Sequence, residues 1–206
     1  MPVIVVANPK GGVGKSTLSS NIAGYFARQG HTVMLGDVDR QQSSRLWLQW
    51  RAATLPTILS WDITEDHIAR PPKGTTHIVL DTPAGLHGKG LDAVMKLADK
   101  VVVPLQASVF DIHATQGFLA ELAQHKQAGK AQLGVVANRV KDHTKATEHL
   151  IGFLQTLEIP LLGQLRDTQN YAHLAAHGLS LWDVPATKVE KDLGQWAPIL
   201  NWLSQA

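Results

Sequence analysis

The chain alternates short, uninterrupted apolar runs with longer stretches whose apolar residues recur every three or four positions, and few folds accommodate that alternation. Residues 3–7, 32–37, 77–81, 101–105, 133–137 and 161–165 read as strands. Residues 15–28, 43–51, 91–98, 111–127, 145–157, 171–176 and 189–203 read as helices. In the first helix Leu18, Ile22 and Phe26 share a face, and Gly30 ends it. Strand and helix in turn predict an α/β fold: a mostly parallel twisted sheet covered by helices on both faces. Ligands of such sheets bind beyond the carboxyl ends of the strands. Function is therefore expected in the loops after Ala7, Asp37, Asp81, Leu105, Ala137 and Leu165.

A length of 206 residues fits one domain, 1–206. A chain of this size buries roughly 70% of its extended surface. The stretch Arg70-Pro-Pro-Lys-Gly74 reads as a turn before a strand, not a linker. The absence of cysteine excludes disulfides and cysteine-ligated metal sites. The opening apolar run lacks a basic leader and is too short to span a bilayer, so a cytoplasmic protein is expected. A net charge of +2 is too mild to argue for nucleic acid, although a local basic patch is compatible with it. The ten histidines are scattered without metal-ligand spacing.

The first loop, Asn8-Pro-Lys-Gly-Gly-Val-Gly-Lys-Ser-Thr17, follows a strand and opens a helix, the setting of a phosphate-binding loop. Gly11, Gly12 and Gly14, with Val13 between them, let backbone N–H groups turn inward around an anion. The helix N-terminus adds partial positive charge. Lys15 is placed to reach β- and γ-phosphates, Ser16 to offer its hydroxyl to Mg2+, and Thr17 to bond an α-phosphate. The usual spacing asks for glycine where this chain has Pro9, and a second cation, Lys10, follows at once.

In the second loop Asp37 and Asp39 stand two residues apart at a strand end. Carboxylates there either hold Mg2+ and orient an attacking water, or form an Asx turn and cap the next helix. Spacing alone leaves both open. In the third loop an apolar strand ends in Asp81, which points to the Mg2+ shell. Gly85, Gly88 and Gly90 follow, predicting a loop able to move with a γ-phosphate.

Lys10-Gly-Gly-Val-Gly-Lys-Ser-Thr17 resembles the deviant Walker A loop of the ParA/MinD ATPases. The resemblance extends through Asp37-Val-Asp39-Arg-Gln41, Asp81-Thr-Pro83, Val103-Pro-Leu-Gln-Ala-Ser-Val-Phe-Asp111, Asn138-Arg139, Leu165-Arg-Asp-Thr-Gln-Asn-Tyr-Ala172 and Ala176-His-Gly-Leu-Ser180. It covers nearly the whole chain in family order and is closest to small ParA proteins, including ParF-like and cargo-positioning members. It implies a P-loop NTPase of the deviant Walker A type that uses ATP and Mg2+. It implies slow hydrolysis to ADP and phosphate, accelerated by a ParB-like or small adaptor protein, and a homodimer when ATP is bound. In that family the extra lysine, here Lys10, reaches the partner's nucleotide. By the same resemblance Lys10, Lys15 and Asp39 serve catalysis, with Asp39 orienting the water, and Ser16, Asp37 and Asp81 serve Mg2+. Asn138 and Arg139 would contact adenine, and Arg166 and Asp167 would belong to a loop closing over the base. Two positions depart from the family: Arg40 stands where proline is usual, and Gly36, where valine or isoleucine is usual, is expected to loosen the strand end.

ParA-like proteins bind DNA without sequence preference, which implies a nucleoid-associated protein. Arg139, Lys141, Lys145, Lys188 and Lys191 are candidate phosphate contacts, each otherwise an ordinary solvated charge. A MinD-like membrane-cycling ATPase is the first alternative. Leu193, Trp196, Ile199, Leu200 and Leu203 make one apolar face on the last helix, but its later turns hold no Lys or Arg, so docking on the sheet is the better reading. Trp47 and Trp50 are expected to pack. A metabolic ATP-dependent ligase of the same superfamily is the second alternative; Lys10 speaks for the switch class.

Overall fold

The computed structural model describes residues 1–63, 70–127 and 129–205. Strands β1 (Val3–Val6), β2 (Val33–Asp37), β3 (Ile58–Trp61), β4 (His77–Asp81), β5 (Lys100–Gln106), β6 (Gln132–Val140) and β7 (Leu161–Arg166) form one sheet in the order β3-β2-β4-β1-β5-β6-β7. Every pair of neighbours runs parallel, as expected. The helices are α1 (Lys15–Arg28), α2 (Ser43–Trp50), α3 (Gly88–Leu97), α4 (Val109–Gln124), α5 (Lys145–Gln155), α6 (Gln169–Ala175) and α7 (Ala186–Ser204), with a 3-10 turn at Leu181–Asp183.

Side chains alternate across a strand, so each strand feeds two cores. Val3, Val5 and Ala7 pack with Leu91 and Met95 of α3, Leu122 of α4 and Leu150 of α5. Ile4 and Val6 join Leu18 and Ile22 of α1, Trp47 of α2 and Trp196 of α7 on the opposite face. Burying each Val, Leu, Ile or Met among them is worth roughly 1.5–3 kcal/mol. β1 and β4 are neighbours, and the connections that leave them run in opposite directions, from β1 to β2 on one side and from β4 to β5 on the other. A crevice opens at such a reversal, and here it lies above the end of β1.

α1 has the expected bounds. It stops because Gly30 adopts φ 85°, which lets the His31 N–H reach the Phe26 carbonyl at 3.1 Å. α3 and α4 begin earlier than expected, at Gly88 and Val109. Two of the three glycines read as a moving loop thus form the first turn of α3. β3 was not expected, nor was the 3-10 turn. Gly36 does not loosen its strand: a Cβ there would lie 2.9 Å from the Trp61 ring and 3.0 Å from Ile63 and Leu80, so glycine makes room for them. Trp47 packs, but Trp50 is 51% exposed, contrary to expectation.

α7 docks on the sheet through Trp196, Ile199, Leu200 and Leu203. Its backbone is non-helical at Val189, the expected first residue, so a short turn precedes the break. The buried Lys100 ammonium donates to the carbonyls of Trp202 at 2.7 Å, Leu203 at 3.2 Å and Gln205, closing the helix C-terminus. Among the described residues no helix is long and apolar enough to cross a membrane.

His77 stacks on Phe26 with ring centroids 4.2 Å apart and lies 4.1 Å from the His31 ring. Burial first, then the nearby His31 and N-terminal charges, push its pKa down from 6.5 to about 4. A depressed histidine gives stability that is complete above the unfolded value of 6.5 and lost as pH falls toward 4. Asp81, raised to about 6 by burial, titrates over the same range with the opposite sign. The informative quantity is therefore the difference between His77→Gln and the parent in urea unfolding. We expect the parent's advantage to shrink on acidification from neutral pH; a difference independent of pH would contradict the assignment.

Candidate functional site

The loop between β1 and α1 is held from outside through its carbonyls. Pro9 accepts from the Gly85 N–H at 2.8 Å, Gly12 from Gln106 Nε2 at 2.8 Å, and Val13 from Asn138 Nδ2 at 2.7 Å. Asn8 is buried beneath the loop. Its amide donates to the Pro104 carbonyl at 2.8 Å and Thr115 Oγ1 at 3.0 Å, while its Oδ1 accepts the Lys10 N–H at 2.8 Å. With the carbonyls spent outward, the N–H groups of Gly11, Gly12, Val13 and Gly14 have no acceptor among the described residues. Those of Lys15, Ser16 and Thr17 open α1, where no intrahelical acceptor exists. Gly14 has φ 97°, and a Cβ there would sit 2.2 Å from Asn138 Nδ2, so no other residue fits.

Lys15 is buried, and its Nζ turns back onto the Lys10 carbonyl at 2.8 Å. No carboxylate pairs with it within 4.0 Å among the described residues. Burial lowers its pKa, and the more distant Asp81 and Asp39 charges only partly oppose that. Lys10 differs: its side chain is 41% exposed, lies outside the lining of its own cleft and approaches Asp111 of α4 at 3.9 Å.

Asp81 is buried at the end of β4. Oδ2 accepts from Ser44 Oγ at 2.6 Å, and Oδ1 has no hydrogen-bond partner among the described residues. Burial raises its pKa to about 6, and the Ser44 and Ser16 hydroxyls moderate the rise. Asp37 takes the structural option left open by its spacing. Oδ1 accepts the Asp39 N–H at 3.0 Å, and Oδ2 accepts the Ser44 and Arg45 N–H groups at 2.8 and 3.3 Å, capping α2. Both of its oxygens are thus engaged in a turn and a helix cap. Asp39 is half-buried, and Oδ1 accepts the Gln41 N–H at 2.9 Å.

The loop opens into a cleft of about 980 Å3. Its lining includes Gly11, Gly12, Gly14, Lys15, Ser16 and Thr17, with Asp39 to Gln41 on one wall and 83–90 on another. Lys15, Arg40, Lys89 and Arg139 bring four cations against one carboxylate, Asp39. A balance of that kind suits a polyanion. A second cavity of about 320 Å3 shares Thr17 and Arg139 with the cleft and adds Asn138, Arg166, Asp167 and Tyr171. The expected base-side residues thus come together. They are not equally available: Arg166 is bound to the buried Asp192 at 2.6 and 3.2 Å, and Asp167 pairs with Lys141 at 3.4 Å. Asn138 spends its amide on the loop, while its Oδ1 makes no hydrogen bond among the described residues.

Sequence reasoning missed Asn8, Gln106 and Ser44, which hold the loop and Asp81 rather than face a ligand. The available signal was a polar residue ending an apolar run, as at Asn8 and Gln106. The residues present fit a Mg2+-bound nucleotide on two counts: unspent N–H groups surround the loop, and a buried carboxylate oxygen, Asp81 Oδ1, lacks a partner beside Ser16. Ser16 and Asp81 would hold the Mg2+, which when bound neutralises phosphate charge.

A parallel sheet with this glycine loop at its point of reversal defines a P-loop nucleotide-binding protein. Residues 4–181 match the CobQ/CobB/MinD/ParA nucleotide binding domain, and the chain belongs to that family. Maintenance of carboxysome distribution protein A of Gloeobacter kilaueensis is 34% identical over 112 residues, 53% of this chain and 51% of that protein. The protein of the same name from Halothiobacillus neapolitanus is 27% identical over 89% of this chain and 88% of its own length. The fold is shared with septum site-determining protein MinD of Pyrococcus horikoshii complexed with Mg-ADP, at a TM-score of 0.73 and 15% identity, over 99% of this chain and 96% of that one.

Asn138→Ala would leave the buried Val13 carbonyl unbonded. We expect a loss of about 1–3 kcal/mol in stability, together with weaker ADP binding by calorimetry. Full retention of both would remove Asn138 from the support of the loop.

Proposed function

We propose that this chain is a nucleotide-timed positioning switch. It binds ATP with Mg2+, pairs with a second copy while ATP is bound, and separates after slow hydrolysis to ADP and phosphate. The observation behind this reading is the different placement of its two loop lysines. Lys15 is buried in its own cleft without a counter-ion, whereas Lys10 stands outside that cleft in a loose pair with Asp111. A triphosphate in the loop supplies the anion for Lys15, and a triphosphate carried by a second copy supplies one for Lys10. A ligase acting as a single copy has no use for a lysine so placed.

Within the cleft Asp39 orients the attacking water, Ser16 and Asp81 attend the Mg2+, and Thr17 contacts the phosphates. The unspent Asn138 oxygen accepts from the adenine amino group, and Arg139 lies along the base. Arg166 and Asp167 shape the base cavity from within their own ion pairs. A ParB-like or small adaptor protein accelerates hydrolysis by stabilising the active geometry. Arg139, Lys145, Lys188 and Lys191 are exposed and without a partner among the described residues, which suits non-specific contact with nucleoid DNA. Lys141, paired with Asp167, is the weaker candidate. The Gloeobacter and Halothiobacillus relatives are named for carboxysome distribution, which favours cargo-positioning in the cytoplasm. The apolar face of α7 lies in the core, which leaves the membrane-cycling alternative without an anchor there.

Light scattering should show a dimer with ATP and Mg2+ and a monomer with ADP. Lys15→Ala should abolish nucleotide binding. Lys10→Ala should still bind ATP but remain monomeric; a dimer of parental affinity would sink the reading. Asp39→Ala should keep the ATP dimer while turnover falls at least about tenfold, and parental turnover would remove it from the reaction.

A further inference from the structure

We infer that Arg40 contacts the γ-phosphate of ATP bound in its own chain and offsets the charge that develops there during hydrolysis, an inference that rests on the ATPase reading above. Neither the phosphate loop nor the proposed dimer lysine requires this residue. Its place follows from a tightly specified turn. The Asp37 carboxylate holds the Asp39 N–H at 3.0 Å, the Asp39 carboxylate holds the Gln41 N–H at 2.9 Å, and the Asp39 carbonyl accepts the Gln42 N–H at 3.0 Å. Gln42 completes the turn with φ 50°. Arg40 is the residue this turn presents, directly after Asp39, on the wall facing 83–90.

Three other arginines are already committed. Arg51 makes a bidentate pair with the buried Asp183, Arg166 does the same with Asp192, and Arg45 bonds Gln42. Arg139 lines the base-side cavity as well as the cleft. Arg40 is exposed, lines only the larger cleft and has no hydrogen-bond or ion-pair partner among the described residues. The one carboxylate of that lining, Asp39, is its chain neighbour and bonds Gln41. A phosphate tail extending from Lys15 toward Asp39 is the partner this guanidinium lacks.

In the reaction the water oxygen bonds to the γ-phosphorus. The bond from that phosphorus to the β–γ bridging oxygen breaks, its electron pair stays on ADP, and the water's proton passes to phosphate or bulk water. Negative charge spreads over the γ-phosphoryl oxygens and the bridging oxygen in the transition state. A planar guanidinium beside those atoms stabilises that state more than bound ATP, and does nothing for ADP.

The test uses the full chain and compares steady-state ATP turnover with calorimetric affinity for MgADP and a non-hydrolysable MgATP analogue. Arg40→Ala and Arg40→Lys should each lower kcat about tenfold or more, since an ammonium cannot reproduce the fork. MgADP affinity and melting temperature should stay at parental values. Turnover of Arg40→Ala within about twofold of the parent overturns the inference. So does a parallel loss of ADP and analogue affinity, which would make Arg40 a general phosphate anchor. Mixing Arg40→Ala with Asp39→Ala distinguishes the subunits: no recovery is expected, and recovered turnover would place Arg40 in the partner's site. A parent without any ATP turnover would instead refute the ATPase reading itself.

Discussion

A cation buried without an anion sets the terms for the whole molecule. Lys15 sits in a loop whose N–H groups lack acceptors, at the start of a helix whose dipole adds positive potential. Nothing nearby neutralises it: Asp81 and Asp39 act only at a distance. Such an arrangement raises the energy of the ligand-free state, and the two apolar cores must hold the loop in place regardless. The carbonyl bonds to Gly85, Gln106 and Asn138 show how: the loop is fastened by its acceptors so that its donors face inward.

The sheet order makes that fastening possible. β1 lies between β4 and β5, so the loop after it has Gly85 on one side and Gln106 on the other, with Asn138 from β6 beyond. Asn8 reaches beneath the loop to Pro104 and Thr115, about a hundred residues away along the chain. Two ion pairs on buried carboxylates, Arg51–Asp183 and Arg166–Asp192, tie the C-terminal segments to the same scaffold. Both partners are buried in the first, which makes that pair costly to break. Gly24 of α1 belongs to the same scaffold: a Cβ there would lie 2.5 Å from the Ser180 Cβ, so the helix and the 3-10 segment approach as closely as glycine permits.

The parts of this architecture visible in the sequence are those with a repeating pattern. The strands buried on both faces, β1, β2, β4, β5 and β6, are apolar runs, and α1 has both its apolar period and Gly30. β3 has neither: its burial runs in, out, out, in along four residues at the sheet edge, so half of it resembles surface. The start of α4 was obscured because Val109 and Phe110 are apolar yet 72% and 80% exposed. Gly88 and Gly90 disfavour helix locally, and Leu91, Val94 and Met95 override them by packing on the sheet. For the site, glycine spacing and strand-end carboxylates located Gly11 to Thr17, Asp39 and Asp81. Which carboxylate capped a helix and which kept a bare oxygen depended on where α2 lies, and spacing does not specify that.

Asp37 and Asp81 show how much that last distinction matters. They are register partners at the ends of adjacent strands, both buried, and burial raises both pKa values. Asp37 receives three backbone N–H groups that oppose the rise, one from the turn at Asp39 and two from α2, so its charge is already compensated. Asp81 receives one hydroxyl on one oxygen. The first carboxylate therefore belongs to the fold whether or not a ligand is present. The second is incomplete until a cation or donor reaches Oδ1, and its other oxygen is bonded to Ser44 in the first turn of α2. Two identical side chains, side by side in register, differ in hydrogen bonding because one helix N-terminus satisfies only one of them.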